Sequence, residues 1–191
     1  LFKVLKKNKK NYLIRTGSCS YDSKSLNPNI ETFIISLRYI NKILKIDLKK
    51  NTIELEAGAL IANVIKNIKN KNITLYSVPG GNKISIGGAI SANTIGKDSS
   101  KSMSSFGDAL LSIHVLTNSG KIKKIENDKN SLNKYVGAFG MEGIILKAKL
   151  KVKKIKSQNL RITSKILKSI NDIQQDFYNK SEYHYIQIDP F

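Results

Sequence analysis

Between residues 84 and 97 the chain reads I-S-I-G-G-A-I-S-A-N-T-I-G-K, a run of small residues almost without charge in a protein otherwise full of lysine. Pro79, Gly80 and Gly81 lead into it, and Ser104, Ser105, Phe106 and Gly107 follow shortly after. Adjacent glycines followed by Ala89, Ser91 and Ala92 remove side-chain bulk. The backbone can then touch something flat or multiply charged while its N–H groups point at it. That is the chemistry of a phosphate-bearing cofactor. The same residues also suit a tight turn packed on a neighbouring strand, and a glycine-rich run alone does not separate the two.

A second small, polar stretch, R-T-G-S-C-S-Y-D at residues 15–22, follows a short apolar run and is another candidate anion cradle. Other chemistry is sparse. Cys19 is the single cysteine, which excludes an internal disulfide and a cysteine-based zinc site. His114 and His184 lie on apolar-alternating stretches with no ligand at metal spacing, so both are expected to be ordinary sheet residues. There is no G-x-G-x-x-G opening a helix after the first strand, no G-x-x-x-x-G-K-[ST] and no H-E-x-x-H. A phosphate cofactor must therefore be held by the loops of an α+β fold.

The 191 residues, 40% of them hydrophobic, suffice for one large domain or a domain and part of another. No apolar run reaches the ~20 residues that span a bilayer, and the start lacks the apolar core of a signal peptide, so a cytoplasmic protein is expected. Leu1 in place of Met is the expected sign of a chain that begins inside a longer protein. The formal net charge of +19 invites a nucleic-acid partner, but arginine occurs only at Arg15, Arg38 and Arg161, and the lysines are scattered among Asn and Ile. Nucleic-acid readers favour the arginine fork and cluster it with aromatics. No nucleic acid is expected, and an AT-rich coding sequence accounts for the composition.

The elements that would position these loops follow from periodicity. Residues 1–11 read as a lysine-rich helix or loop, and 12–14 as a short strand entering the first polar loop. Residues 31–37 and 43–48 read as strands, and 49–51 turn into the clean alternation of 52–57, which makes a hairpin. Leu60, Ile61, Val64, Ile65 and Ile68 recur at helical spacing and predict a helix over 59–70, followed by a strand over 73–78. A second hairpin joins 109–117 to 121–125 around Asn118-Ser119-Gly120. Gly137, Gly140 and Gly143 precede an alternating apolar–lysine strand over 144–152, and a helix over 166–177 and a strand over 183–188 follow.

Three segments, in this order, resemble the FAD-binding domain of the p-cresol methylhydroxylase and vanillyl-alcohol oxidase superfamily. They are R-T-G-S-C-S-Y at 15–21, P-G-G-N-K-I-S-I-G-G-A-I-S-A-N-T-I-G-K at 79–97 and G-A-F-G-M-E-G-I-I at 137–145. The decaprenylphosphoryl-ribose oxidase branch is the most similar, because its central segment also runs on to a G-S-F-G motif, here Ser104-Ser105-Phe106-Gly107 after Gly96-Lys97-Asp98. The resemblance implies an α+β fold of two subdomains sandwiching an extended FAD. Residues 1–155 would be that domain without its first strand, and 156–191 a linker and the opening of a cap domain.

By the same resemblance, Thr16, Gly17, Ser18, Cys19, Ser20 and Tyr21 would wrap the pyrophosphate, Gly80, Ser85, Gly87 and Gly88 would complete that cradle, and Arg15 and Ile86 would be neighbouring cofactor-binding residues. Ala92, Asn93, Thr94, Ile95 and Gly96 would run beside the isoalloxazine, and Gly143, Ile144 and Ile145 would meet the adenosine end. A diphosphate with no arginine clamp needs many aligned N–H donors, which glycine and serine loops supply. The chain departs from the family where Cys19 replaces a histidine that often bonds the flavin, and where Ile95 stands before Gly96-Lys97 in place of the branch's histidine. Non-covalent FAD is therefore expected, with Cys19 a small polar filler, although a thiolate could bond a flavin. Thr16, Ser18 and Ser104 also replace common glycines.

The implied activity is that of an FAD-dependent oxidoreductase oxidising an alcohol carbon of a sugar or polyol, a lipid-linked one included, with hydride passing to flavin N5. The catalytic base would come from the cap domain, and Lys97 and Asp98 are expected to be a solvated loop pair. Two alternatives stay open: another enzyme of the superfamily, of aldonolactone or alditol oxidase type, and a lysine-rich polyanion-binding module without flavin.

Overall fold

The computed structural model describes residues 12–17, 32–81, 83–100, 103–126, 128–159, 161–167, 169 and 171–172, with 97–100 followed by their backbone alone. The first half carries β1 (Tyr12–Arg15), β2 (Phe33–Ser36), β3 (Ile43–Asp47), β4 (Thr52–Glu56), α1 (Ile61–Ile68), β5 (Ile73–Leu75), α2 (Ile86–Ser91) and β6 (Ile95–Ser100). The second carries β7 (Met103–Ser105), a 3-10 turn at Phe106–Ala109, β8 (Leu110–Leu116), β9 (Ile122–Glu126), α3 (Lys129–Asn133) and β10 (Ile144–Lys154).

β1 and β2 pair in parallel, Tyr12 opposite Phe33 and Arg15 opposite Ser36. The larger sheet has the order β3-β4-β10-β8-β9, with β5 pairing the far end of β10. It is built from the two expected hairpins. Between β3 and β4 the chain turns through Asn51 at φ 51°, and the Asp47 carboxylate accepts the Lys50 N–H at 2.9 Å. Between β8 and β9 it turns through Gly120 at φ 81°. Strand β10 lies between the hairpins and pairs antiparallel with both. Its two-residue period sends Ala148, Leu150 and Val152 into the core beside Ile53, Leu55, Ile113 and Val115. The opposite face sets Lys147 across from Glu56 and Lys149 across from Glu54, opposite charges that favour this register.

Helix α1 lays Ile61, Val64 and Ile68 on that core and ends in a 3-10 turn at Lys69–Lys71, closed by Asn72 in the left-handed region at φ 52°. The periodicity therefore located this helix correctly. The strand expected over 73–78 stops at Leu75 instead, because the buried Ser77 turns inward and its Oγ accepts the Gly96 N–H at 2.9 Å. Helices α2 and α3 and the β6–β7 hairpin were not expected from the sequence. Of the helix expected over 166–177, Ile166 is non-helical and 96% exposed, and among the described residues 171–172, after Ser169, are helical. There the Ser169 Oγ accepts the Asn171 N–H, and the Asp172 carboxylate accepts the Ser169 N–H. Residues 1–11, 18–22, His184 and the strand expected over 183–188 lie outside the described residues.

The 3-10 turn before β8 has a capping box. The Ser105 side chain and the Asp108 carboxylate each take the other's backbone N–H, the Ser105 N–H donating to Asp108 at 2.9 Å. That backbone bond, reinforced by the Ser105 hydroxyl and the Lys129 charge, holds the Asp108 carboxyl below the ordinary carboxylate range, although burial opposes it. A carboxylate with a depressed folded pKa stabilises above its unfolded pKa of about 3.9 and loses that contribution as pH falls through the folded value. Asp108→Ala is expected to cost about 1 kcal/mol at neutral pH, the usual scale of a lost cap. Chemical unfolding at pH 7 and again below about pH 3 checks it, since the gap between variant and wild type should shrink in acid. No helix among the described residues is long and apolar enough to cross a membrane.

Candidate functional site

Strand β1 delivers the chain to Thr16 and Gly17, and the parallel pairing with β2 fixes where they emerge, with the Leu37 N–H donating to the Arg15 carbonyl at 2.8 Å. Thr16 is tied by its hydroxyl to the hydroxyl of Ser85. Ser85 is 1% exposed and caps α2, its Oγ accepting the Gly88 N–H at 3.2 Å. Gly17 packs so closely on the approach to α2 that a Cβ there would stand 2.4 Å from the Lys83 carbonyl oxygen and 3.0 Å from the Ser85 nitrogen. The first loop and the central segment, 69 positions apart at Thr16 and Ser85, therefore form one surface.

The N-terminal amides of α2 are spent within the chain. Ile86 N–H donates to the Ala59 carbonyl at 2.9 Å and Gly87 N–H to the Ala57 carbonyl at 2.7 Å. A Cβ on Gly87 would lie 2.9 Å from the Ala57 Cβ, so this glycine exists to let α2 sit against the end of β4. Of the two roles that the sequence leaves open for Gly87, the described hydrogen bonds and distances are those of close packing. Gly80 differs, because a Cβ there would meet nothing within 4 Å.

The far end of α2 collects the third segment. Gly137 N–H donates to the Ile90 carbonyl at 3.1 Å and Phe139 N–H to the Ser91 carbonyl at 2.9 Å, with Phe139 in the left-handed region at φ 51°. A Cβ on Gly140 would lie 3.2 Å from Ile14 Cδ1, which brings this segment back to β1. Gly143, at φ 144°, begins the turn into β10, where Ile144 and Ile145 are buried opposite Leu116 and Val115.

Ala92 closes α2, and Asn93 follows at φ 44° with its side-chain oxygen accepting the Gly107 N–H at 3.0 Å. Thr94 N–H donates to the Ala89 carbonyl at 3.0 Å, and the Thr94 carbonyl accepts the Phe106 N–H at 2.9 Å. The Thr94 Oγ1 is buried with no hydrogen-bond partner among the described residues. Beside it Ile95 is 70% exposed, an apolar side chain on the surface next to an unsatisfied hydroxyl. A buried hydroxyl without a partner costs free energy unless something polar meets it. Small residues, an orphan hydroxyl and an exposed apolar side chain suit one face of a large, partly polar cofactor, so the residues present fit a flavin.

Every described member of the expected site thus belongs to the segments gathered around α2, except that Gly143, Ile144 and Ile145 lie at the start of β10. Ser18, Cys19, Ser20 and Tyr21 lie outside the described residues, as do the side chains of Lys97 and Asp98. Asn93, Gly107 and the Gly137–Phe139 turn act as fasteners on α2. The spaced glycines hinted at the last of these in the sequence, but nothing in it showed what they fasten to. Among the described residues no group of His, Cys, Asp and Glu could hold a metal ion.

Residues 1–126 match the family described as FAD binding domain. A curated relative, decaprenylphosphoryl-beta-D-ribose oxidase of Mycolicibacterium smegmatis (strain ATCC 700084 / mc(2)155), is 27% identical over 122 residues, which cover 62% of this chain and 26% of the relative. Two crystal forms of alkyldihydroxyacetonephosphate synthase share the fold, each with a TM-score of 0.69 at 22% identity. They cover 81% and 80% of this chain and 29% of their own, so the chain spans under a third of the proteins it resembles.

Proposed function

The chain belongs to the FAD binding domain family, and from that premise we propose that it is the flavin domain of an oxidoreductase taking hydride from an alcohol carbon of a sugar or polyol. Its cofactor is FAD, and its fold is the α+β fold of the p-cresol methylhydroxylase type. The substrate class rests on the relative whose name is that of a decaprenylphosphoryl-ribose oxidase, which makes a lipid-linked sugar the first candidate. The observation that carries the site is the convergence of the first loop, the central segment and the Gly137–Gly143 segment on α2, with the Thr94 hydroxyl left over.

When bound, FAD would supply the hydride-accepting chemistry of the reaction. The chain's own residues bind and orient it. Arg15, Thr16 and Gly17 would line the phosphate side together with Gly80 and Gly88, while the buried Ser85, Ile86 and Gly87 seat α2 behind them. Ala92 to Gly96 line the ring side, where Thr94 supplies the polar contact and Ile95 an apolar wall. Gly143, Ile144 and Ile145 back the adenosine end through β10. We take attachment to be non-covalent, because Ile95 and Cys19 stand where the family carries histidines, and Cys19 is the one thiol that could form a bond to the flavin instead. The catalytic base belongs to a substrate domain beyond residue 155.

An absorbance spectrum before and after acid precipitation tests this. Flavin bands that move to the supernatant are expected, bands kept in the pellet would assign a covalent bond to Cys19, and no flavin after incubation with FAD would overturn the assignment. A lysine-rich module without flavin is set aside by the family match. Thr94→Val isolates the orphan hydroxyl. The apo protein should hold or gain stability, by up to about 1 kcal/mol, since the variant removes a buried unpaired hydroxyl, while FAD affinity falls by about tenfold, the scale of one lost hydrogen bond to a buried group. Thermal unfolding of the apo form and FAD titration by fluorescence quenching check the two halves.

A further inference from the structure

The lysines look scattered in the sequence, yet three segments remote from one another meet where β10 ends. Val152 N–H donates to the Asn51 carbonyl at 2.9 Å, which ties β10 to the β3–β4 turn. Ile155 N–H donates to the Asn72 carbonyl at 2.9 Å, and the Gln158 side-chain amide to the Lys69 carbonyl at 2.8 Å, which tie the residues after β10 to the end of α1. Lys154 lies opposite Ile73 in the ladder with β5. One end of the molecule is therefore built from residues 48–51, 69–72 and 151–158.

Every ionisable side chain in those three segments is a lysine. Lys49, Lys50, Lys69, Lys71, Lys154 and Lys156 are all exposed. Asp47, one residue before the first segment, faces its own turn and accepts the Lys50 N–H. On the rest of the sheet the pattern differs, because Lys147 and Lys149 face Glu56 and Glu54, and Lys124 pairs with Glu126. Among the described residues, carboxylates thus face lysines along the sheet, whereas at this end Asp47 is the only carboxylate and Lys49, Lys50, Lys69, Lys71, Lys154 and Lys156 gather exposed ammonium groups. Such a patch attracts an extended anionic surface.

Two features decide which kind. The three segments hold no arginine and no aromatic residue, so they lack the planar fork that reads bases and the rings that stack on them. At the apex of the β3–β4 turn Leu48 is 46% exposed beside Lys49 and Lys50. An apolar side chain in a collar of lysines suits a bilayer interface, where the leucine enters the acyl boundary and the ammonium groups meet phosphates. We propose that this lysine end is a docking surface for an anionic lipid bilayer, with Leu48 at its tip.

The full chain, loaded with FAD, is sedimented with vesicles of phosphatidylcholine alone and with vesicles containing about one third phosphatidylglycerol. Pelleting with the anionic vesicles only, reversed by added salt, is expected. Lys49→Glu/Lys71→Glu/Lys156→Glu, one change per segment, should lower the partition coefficient by more than about tenfold, since each lysine near such a surface is worth about fivefold. Lys121→Glu/Lys129→Glu/Lys134→Glu makes the same change in net charge elsewhere and should stay within about threefold of wild type. Leu48→Ser should weaken partitioning several-fold while leaving its salt dependence unchanged, and it needs none of the charge reversals to fold.

Equal losses in both triple variants would assign the binding to net charge alone and overturn the proposal. So would equal binding to both vesicle types, or tighter binding to duplex DNA than to the anionic vesicles at the same salt. The flavin spectrum is read on the same samples. Vesicle binding by a protein that takes up no FAD would sink the proposed function and leave the lysine end standing, and a yellow protein that ignores vesicles would do the reverse.

Discussion

Gly17→Val is expected to release the flavin. At this position a Cβ would stand 2.4 Å from a carbonyl oxygen and 3.0 Å from an amide nitrogen, both of them backbone, on the approach to α2. Neither atom can swing aside as a side-chain tip would, so the loop after β1 must back away. Its neighbour Thr16 then loses the hydroxyl contact to Ser85, and the two halves of the proposed phosphate surface part. Overpacking of this kind costs about 1–3 kcal/mol, which gives a loss of roughly tenfold or more in FAD affinity when it falls on the binding surface. FAD titration of wild type and variant measures it. Unchanged affinity would show that the first loop does not hold the cofactor.

Leu150→Ala is expected to produce the largest loss of stability, about 2–5 kcal/mol for a fully buried leucine truncated in a packed core. Leu150 is buried at the centre of β10, opposite Ile53 on one side and Leu110 on the other. It also borders a small void lined by Leu75, Ser77 and Phe106 among others, so the truncation enlarges a space that already exists. Ser77, a wall of that void, holds the Gly96 N–H, and Phe106 gives its own N–H to Thr94. The cavity should therefore loosen the segment assigned to the flavin ring as well as the sheet. Urea unfolding with and without saturating FAD separates the two, and the stabilisation by FAD should be smaller in the variant than in wild type.

Alternation made most of the sheet legible. The runs at 43–48, 52–57, 109–117 and 144–152 sit within a residue or two of β3, β4, β8 and β10, because each buries one face and the period of two is written in their side chains. Helix α2 was hidden for the opposite reason. Its six residues include two glycines and a serine, poor helix formers, and its first amides are satisfied by the Ala59 and Ala57 carbonyls from another part of the chain. Tertiary donors and acceptors override propensity there, and no local pattern records them.

The candidate site was legible as a set of segments and not as a set of contacts. The small residues of 15–17, 84–97 and 137–143 do come together around one helix. What their order could not convey is that the Gly87 amide is bonded inside the protein while the Thr94 hydroxyl is not. The lysines show the same gap between order and space. Lys49, Lys71 and Lys156 are over a hundred positions apart at the extremes, and only the pairing of β10 with β4 and β5 makes them neighbours.

Strand β10 also sets a schedule for the protein's birth. The two hairpins of the large sheet do not touch by hydrogen bonds. Each waits for the strand spanning Ile144–Lys154 to be laid between them. On the ribosome the first two-thirds of the chain can form local turns and α1, but the inner faces of Ile53, Leu55, Ile113 and Val115 stay without their common partner until residue 154 has emerged. Such late, non-local closure is slow and leaves apolar strand edges open to other chains in the meantime. A shortened gene ending near residue 126 would thus yield a product prone to aggregate, with the first two small-residue segments present and no sheet to hold them.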